Sequence, residues 1–143
     1  MKYLIVLIMG TLLFAGCKKA PINSDIEGHW QLVEYITHAD GKNHKCERIY
    51  YSIQLWVVEV AEKGGSLGLQ SFRGRYRYDE DNNTIHFTDM STYATPENSR
   101  PATVEELLPY GLNNVNTKLE VLEKGRKKLV LRSDYATLYL KRF

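Results

Sequence analysis

The chain has 143 residues, with 19 Lys and Arg against 17 Asp and Glu, a formal net charge of +2 at pH 7. So small an excess leaves no basic field for a phosphate backbone and argues against a nucleic-acid partner. Ten tyrosines, two tryptophans and four phenylalanines point to a β-rich protein, and two cysteines cannot supply a disulfide framework.

Lys2 gives the N-terminus a positive charge, and Tyr3 to Phe14 is an apolar run interrupted by Gly10 and Thr11. The run is shorter than the roughly 20 residues that span a bilayer. Ala15 and Gly16 are the small residues that a signal protease requires, and Cys17 follows them. Lys18 and Lys19 also fit a stop-transfer signal, but a plain anchor has no use for small residues ahead of a cysteine. Leu13-Phe14-Ala15-Gly16-Cys17 resembles the lipobox of bacterial lipoproteins. That resemblance implies a signal peptide over residues 1–16, a lipidated Cys17, and attachment to a membrane through lipid. Residues 17–25 then form the lipidated cysteine and a polar tether containing Pro21, and residues 26–143 form one domain of a size suited to one core. With Cys17 consumed by lipid, Cys46 stands alone, and the fold rests on its core. No aspartate follows Cys17. By the same resemblance this favours the outer membrane of the cell envelope, on its periplasmic face.

Gly28 to Ile36 reads as a first strand, with Trp30, Leu32 and Ile36 on one face and Glu34 breaking the pattern. Ala39 to Lys45 is a polar loop around Asp40-Gly41. Ile49 to Val60 is the longest predicted strand, with Ile49, Tyr51, Ile53, Leu55 and Val57 on one face and Tyr50, Ser52, Gln54 and Trp56 on the other. Lys63-Gly64-Gly65 turns the chain. From Leu67 to Tyr78 the alternation is clear: Phe72, Gly74, Tyr76 and Tyr78 face one way, Arg73, Arg75 and Arg77 the other. Gly74 inside a strand signals a bulge, a bend or a close backbone approach. An acidic turn, Asp79 to Asn83, leads to a strand over Thr84 to Thr88. Asp89 to Arg100 is loop. Thr103 to Leu108 is a short helix, with Thr103 as cap, Glu105 and Glu106 in its first turn and Pro109 as its stop. Strands over Thr117–Leu122, Lys128–Arg132 and Ala136–Lys141 end the chain, separated by turns at Glu123-Lys124-Gly125 and Ser133-Asp134.

Seven or eight antiparallel strands, one short helix and hairpin-length connections predict an all-β fold, an up-and-down barrel or a sandwich. Ile26-Glu27-Gly28-His29-Trp30-Gln31-Leu32 resembles the opening of lipocalin-like domains, whose first strand carries glycine, one residue, then tryptophan. Gly28 and Trp30 match those positions. The Arg73-Gly74-Arg75-Tyr76 strand and the terminal Leu138-Tyr139-Leu140-Lys141-Arg142 are similar to small bacterial lipocalin-like lipoproteins. The resemblance implies a calycin-like barrel of about eight strands, with Trp30 plugging one end. It also implies a late arginine across that tryptophan, for which Arg132 and Arg142 both qualify. The helix precedes the last strands here, whereas in lipocalins it follows them.

An eight-stranded barrel is either filled by side chains or holds one small ligand. Tyr51, Phe72, Tyr76, Tyr78 and Phe87 are the residues expected to converge on the interior, where buried hydroxyls need partners that a ligand or water would supply. The resemblance implies a small hydrophobic or amphipathic ligand there. The alternative is a packed barrel whose loops and Tyr50/Trp56 face dock another envelope protein. His38, His44 and Cys46 have the ligand types for zinc or copper, but a fourth ligand is missing and a polar loop is the preferred reading, so no metal or cofactor is assigned. The arginine stripe is read as a solvated strand face, and Asp79-Glu80-Asp81 as a turn. No nucleophile–base grouping, phosphate loop or informative carboxylate pair occurs, and no enzymatic activity is expected.

Overall fold

The computed structural model describes residues 23–92 and 95–143. The expected signal peptide, the expected lipidated Cys17 and most of the expected tether lie outside these residues. Eight antiparallel strands close into a barrel in which every strand pairs with its sequence neighbours and the last pairs with the first. They are β1 (Gly28–Thr37), β2 (Asn43–Gln54), β3 (Val57–Glu62), β4 (Phe72–Asp79), β5 (Thr84–Thr92), β6 (Thr117–Lys124), β7 (Lys128–Arg132) and β8 (Ala136–Arg142). Of the barrel and the sandwich that the strand pattern left open, the up-and-down barrel implied by the resemblance is present.

The up-and-down order defines two ends. Residues 23–27, the β2–β3, β4–β5 and β6–β7 turns and the C-terminus gather at one, here called the tether end. The opposite end carries the β1–β2, β3–β4 and β7–β8 loops and the segment between β5 and β6. That segment contains helix α1 (Val104–Leu107), continued by a 3-10 turn over Leu108–Tyr110. Thr103 and Glu106 form a reciprocal capping box at the start of α1. The α-helix ends at its C-cap Leu108, directly before Pro109 as expected, and the chain goes on as a 3-10 turn. Pro109 sits in the first turn of that 3-10 segment, where its missing N–H costs nothing, and the segment ends at Gly111.

The expected single strand over Ile49–Val60 is in fact a hairpin. The chain reverses at Leu55 and Trp56, whose φ angles of 50° and 68° are left-handed. Such a turn normally takes Asn-Gly, so neither residue announces it. The reversal resets the parity: Ile49, Tyr51 and Ile53 point inward from β2, then Val58 and Val60 from β3. Tyr50 is buried on the outer side, its ring edge-on to Phe143 at 5.1 Å. The segment around Asn43–Arg48, expected to be largely loop, is the first half of β2, pairing with β1 as far as Asn43.

Inward side chains fill the barrel. Trp30 and Leu32 of β1, Tyr51 and Ile53 of β2, Ile85 and Phe87 of β5, Leu129 and Leu131 of β7 and Leu138 of β8 have no solvent exposure, and Phe72 and Tyr76 of β4 have 1%. Each such side chain stabilises the fold by about 1.5–3 kcal/mol relative to leaving it in water.

Gly74 marks the irregularity that its position predicted. Arg73 pairs with Ser91 while Arg75 pairs with Thr88, so β5 carries an extra residue at Asp89–Met90 opposite Gly74. A Cβ at Gly74 would lie 2.5 Å from Met90 Sδ and 2.6 Å from the Thr88 carbonyl oxygen. The sulfur could move; the backbone oxygen could not without breaking the bulge. Gly74→Ala is therefore expected to cost about 1–3 kcal/mol, an overpacking penalty against backbone. Urea unfolding should show a lower midpoint with an unchanged slope.

Candidate functional site

The interior of the barrel and its two ends are where a barrel of this size could hold a ligand. At the tether end the chain enters through a turn in which Ile26 N and Glu27 N both donate to Asn23 O, at 3.0 and 2.8 Å. Gly28 follows with φ +144°, and the space its Cβ would need is occupied by the Arg142 guanidinium. Trp30 then lies wholly buried, its Nε1 donating to Ile26 O at 2.8 Å. The Arg142 guanidinium carbon stands 4.3 Å from the centre of the Trp30 ring. Arg142 Nη1 donates to Glu27 O at 3.1 Å and Nε to Arg126 O at 2.8 Å. Arg142, not Arg132, is thus the late arginine across the tryptophan. Arg132 is on the outer face and pairs with Glu120 at 2.5 Å.

Glu27 completes this plug. Its side chain is buried, and Oε1 accepts from Tyr76 Oη at 2.8 Å and from the Leu55 amide at 2.8 Å. One carboxylate therefore ties the N-terminal turn, the β2–β3 reversal and an inward tyrosine together. Sequence reasoning missed it because a lone glutamate beside a strand carries no pattern.

At the opposite end three tyrosine hydroxyls hold the α1 segment over the barrel. Tyr35 Oη donates to Leu108 O at 2.8 Å, Tyr51 Oη donates to Tyr110 O, and Tyr110 Oη donates to Gln70 O at 2.6 Å. Phe72 meets the Tyr110 ring edge-on at 6.1 Å. Leu107 and Leu112 are buried beneath the same segment.

The five predicted interior residues divide. Tyr51, Phe72, Tyr76 and Phe87 point into the barrel and are buried, and the Tyr51 and Phe87 rings lie 6.2 Å apart. Tyr78 is half-exposed near the tether end, its hydroxyl donating to Asn83 Oδ1 at 2.9 Å and accepting from Lys124 Nζ at 2.9 Å. The hydroxyls that sequence reasoning assigned to water or ligand are bonded to the protein itself. Among the described residues no buried side-chain nitrogen or oxygen lacks a partner.

Three depressions on the described residues lie outside the barrel. One runs past Asp79, Asn114 and Arg132, a second past Ser24, Arg126, Lys127 and Arg142, and a third past Trp56, Arg75 and Arg77. His38, His44 and Cys46 do not converge. His38 bonds to Thr137 Oγ1 at 2.9 Å, whereas His44 stacks on Tyr35 at 4.5 Å. Among the described residues no group of three or more His, Cys, Asp or Glu could hold a metal. Burial pushes the Cys46 thiol up to about 11, away from the low values of reactive thiols.

Burial also pushes Tyr35, Tyr76 and Tyr110 up to about 12, and Tyr51 well above the ordinary 10. A tyrosine whose folded pKa exceeds its unfolded value stabilises the fold fully below pH 10, and that stability drains away as pH rises through about 12. Alkaline titration is thus expected to give tyrosinate absorbance for these residues in one cooperative step, coincident with loss of the far-ultraviolet dichroism. Independent ionisation near pH 10 with the dichroism intact would contradict the bonding described.

A family model described as a lipocalin-like domain matches residues 12–143. No curated protein matches the chain. Among solved structures, a lipocalin-like protein from Bacteroides uniformis ATCC 8492 superposes with a TM-score of 0.62 at 21% identity, over 83% of this chain and 99% of that one. An uncharacterized protein from Bacteroides eggerthii DSM 20697 gives 0.61 at 21% identity, over 82% and 98%. At such identity the likeness speaks for the fold alone. With the family match over nearly the whole chain, the closed eight-stranded barrel and the Arg142-covered Trp30 at its plugged end, the chain belongs to the lipocalin-like domain family.

Proposed function

We propose that the protein is a non-enzymatic, lipid-anchored lipoprotein of the bacterial cell envelope that docks another envelope protein through its outer surface and loops. The observation that supports this most is the filled interior. A small hydrophobic ligand in the barrel would have to displace Tyr51, Phe72, Tyr76 or Phe87, all buried, and break hydroxyl bonds to Tyr110 and Glu27. Breaking such bonds leaves buried polar groups unsatisfied at about 1–3 kcal/mol each.

The docking surface in this reading is the end opposite the tether. Leu67 in the β3–β4 loop is 70% exposed and Val104 on α1 is 48% exposed. The Tyr110–Gln70 bond ties that loop to the α1 segment, so the two present one surface. With lipid on Cys17, which precedes the tether end, this surface faces away from the membrane. On the outer membrane it would face the periplasm.

Native mass spectrometry of the full chain, after exposure to an envelope lipid extract, should return the polypeptide with its N-terminal lipid and nothing else. A second small molecule that is retained, and lost in Phe72→Ala, would replace this reading with a ligand-carrying barrel. Photo-crosslinking from positions 67 and 104 in intact envelopes should capture one stoichiometric protein, and crosslinking from position 132 should not.

A further inference from the structure

Charge and exposed aromatic surface are not spread evenly around the tether end. The β6–β7 turn and its flanks carry Lys124, Arg126, Lys127 and Lys128, all exposed, and β8 adds exposed Lys141. Lys128 and Lys141 are directly opposite each other across the β7–β8 pair. Like charges so placed repel and weaken a sheet. Two acidic groups make ion pairs at this corner, Glu123, 3.5 Å from Lys128, and Asp25, 4.0 Å from Lys124, and Glu80 of the acidic turn also acts on Lys124 at its β6 flank. Among the described residues Arg126, Lys127 and Lys141 form no ion pair. Beside them Phe143 is 78% exposed, the most exposed of the large hydrophobic residues described. The acidic turn, Asp79 to Asp81, joins β4 to β5 and so stands across the barrel mouth from the β8–β1 seam.

We propose that this corner, formed by Arg126, Lys127, Lys128, Lys141 and Phe143, seats against an anionic lipid surface, so that the barrel leans on β7 and β8 with its acidic turn lifted away. The inference rests on the lipid anchor proposed above. Six residue steps separate Cys17 from Asn23, so the lipid lies within about 20 Å of the tether end even for a fully extended chain. Lys18 and Lys19 add positive charge along that tether. Basic side chains with an exposed aromatic ring are the combination that settles at an anionic headgroup interface. The depression lined by Ser24, Asp25, Gly125, Arg126, Lys127 and Arg142 opens between the N-terminal turn and the basic corner, where a headgroup phosphate would meet three cations and one carboxylate. The lean fixes the outward aim of the docking end, and it relieves the Lys128–Lys141 repulsion.

The test uses the full chain carrying Phe143→Trp and Trp56→Phe, so that Trp30, which is buried, is the only other tryptophan. It is reconstituted in phosphatidylethanolamine vesicles, with or without phosphatidylglycerol, containing acyl-brominated lipid. Far-ultraviolet dichroism confirms the fold, and the mass of the Cys17 peptide reports the anchor separately. Position 143 should be quenched in phosphatidylglycerol vesicles, and the contact equilibrium should fall roughly 25-fold in R126Q/K127Q, at about five-fold per charge. A lipidated Cys17 with no quenching at position 143 would overturn the seating and leave the anchor standing. Quenching with an unlipidated Cys17 would uphold the seating and remove the anchor. Emission that changes with protein density but not with brominated lipid would mean that a second copy covers the corner, which also overturns it.

Discussion

The barrel depends on the meeting of its first and last strands. β1 pairs with β8 along most of its length, and this one seam converts an open sheet with two bare edges into a ring with none. The seam is locked at the tether end by side chains from both sides of it. Arg142 covers Trp30, Trp30 reaches back to Ile26, and Arg142 also binds the carbonyls of Glu27 and Arg126. A cation over an indole face is worth about 0.5–2 kcal/mol depending on desolvation. Here the geometric effect is larger than the energetic one, because the same guanidinium joins β1, β8 and the β6–β7 turn.

Once the ring is closed, its size decides the rest. Eight strands leave an interior that side chains of ordinary size can fill, and aromatic residues from β1, β2, β4 and β5 do so. Filling with tyrosine creates a second demand, since each buried hydroxyl must find an acceptor. The protein meets it at the two ends. Tyr76 reaches the Glu27 carboxylate, while Tyr35 and Tyr51 reach carbonyls of the segment that covers the opposite end. The polar tips of the core residues thereby become the fastenings of both plugs.

The features legible in the sequence were those carried within a short stretch of it, as a motif or as a local physical signature. Gly28 and Trp30 could be read because their Gly-x-Trp spacing resembles the opening of lipocalin-like domains, and the structure supplies the reason, a left-handed step beneath Arg142 and an indole buried at the barrel mouth. Thr103 and Glu106 could be read because a capping box is complete within four residues. Gly74 declared its close approach, and the last three strands were separated by recognisable turns. The β2–β3 reversal was hidden, since Leu55 and Trp56 are poor turn residues held in left-handed conformations by tertiary contacts. Glu27 grips the Leu55 amide, and Trp56 leans on Tyr76 with ring centres 6.1 Å apart. The roles of Glu27 and Tyr110 were equally invisible. Glu27 binds Leu55 and Tyr76, and Tyr110 binds Tyr51 and Gln70, all tens of positions away in the chain, so no short window of sequence contains these partners.

The β1–β8 seam also sets when this protein can finish folding. Its two strands are separated by nearly the whole domain, so the contact that closes the ring carries the largest loop-closure entropy of any in the fold. Until Ala136–Arg142 has been synthesised, β1 and β7 both present unpaired edges, and Trp30 has no cation above it. The chain therefore passes through a state with two sticky edges and an open hydrophobic mouth, however local its hairpins are. Its last seven strand residues act as a latch, and the time spent before they arrive is the interval in which the protein is most exposed to mispairing with its neighbours.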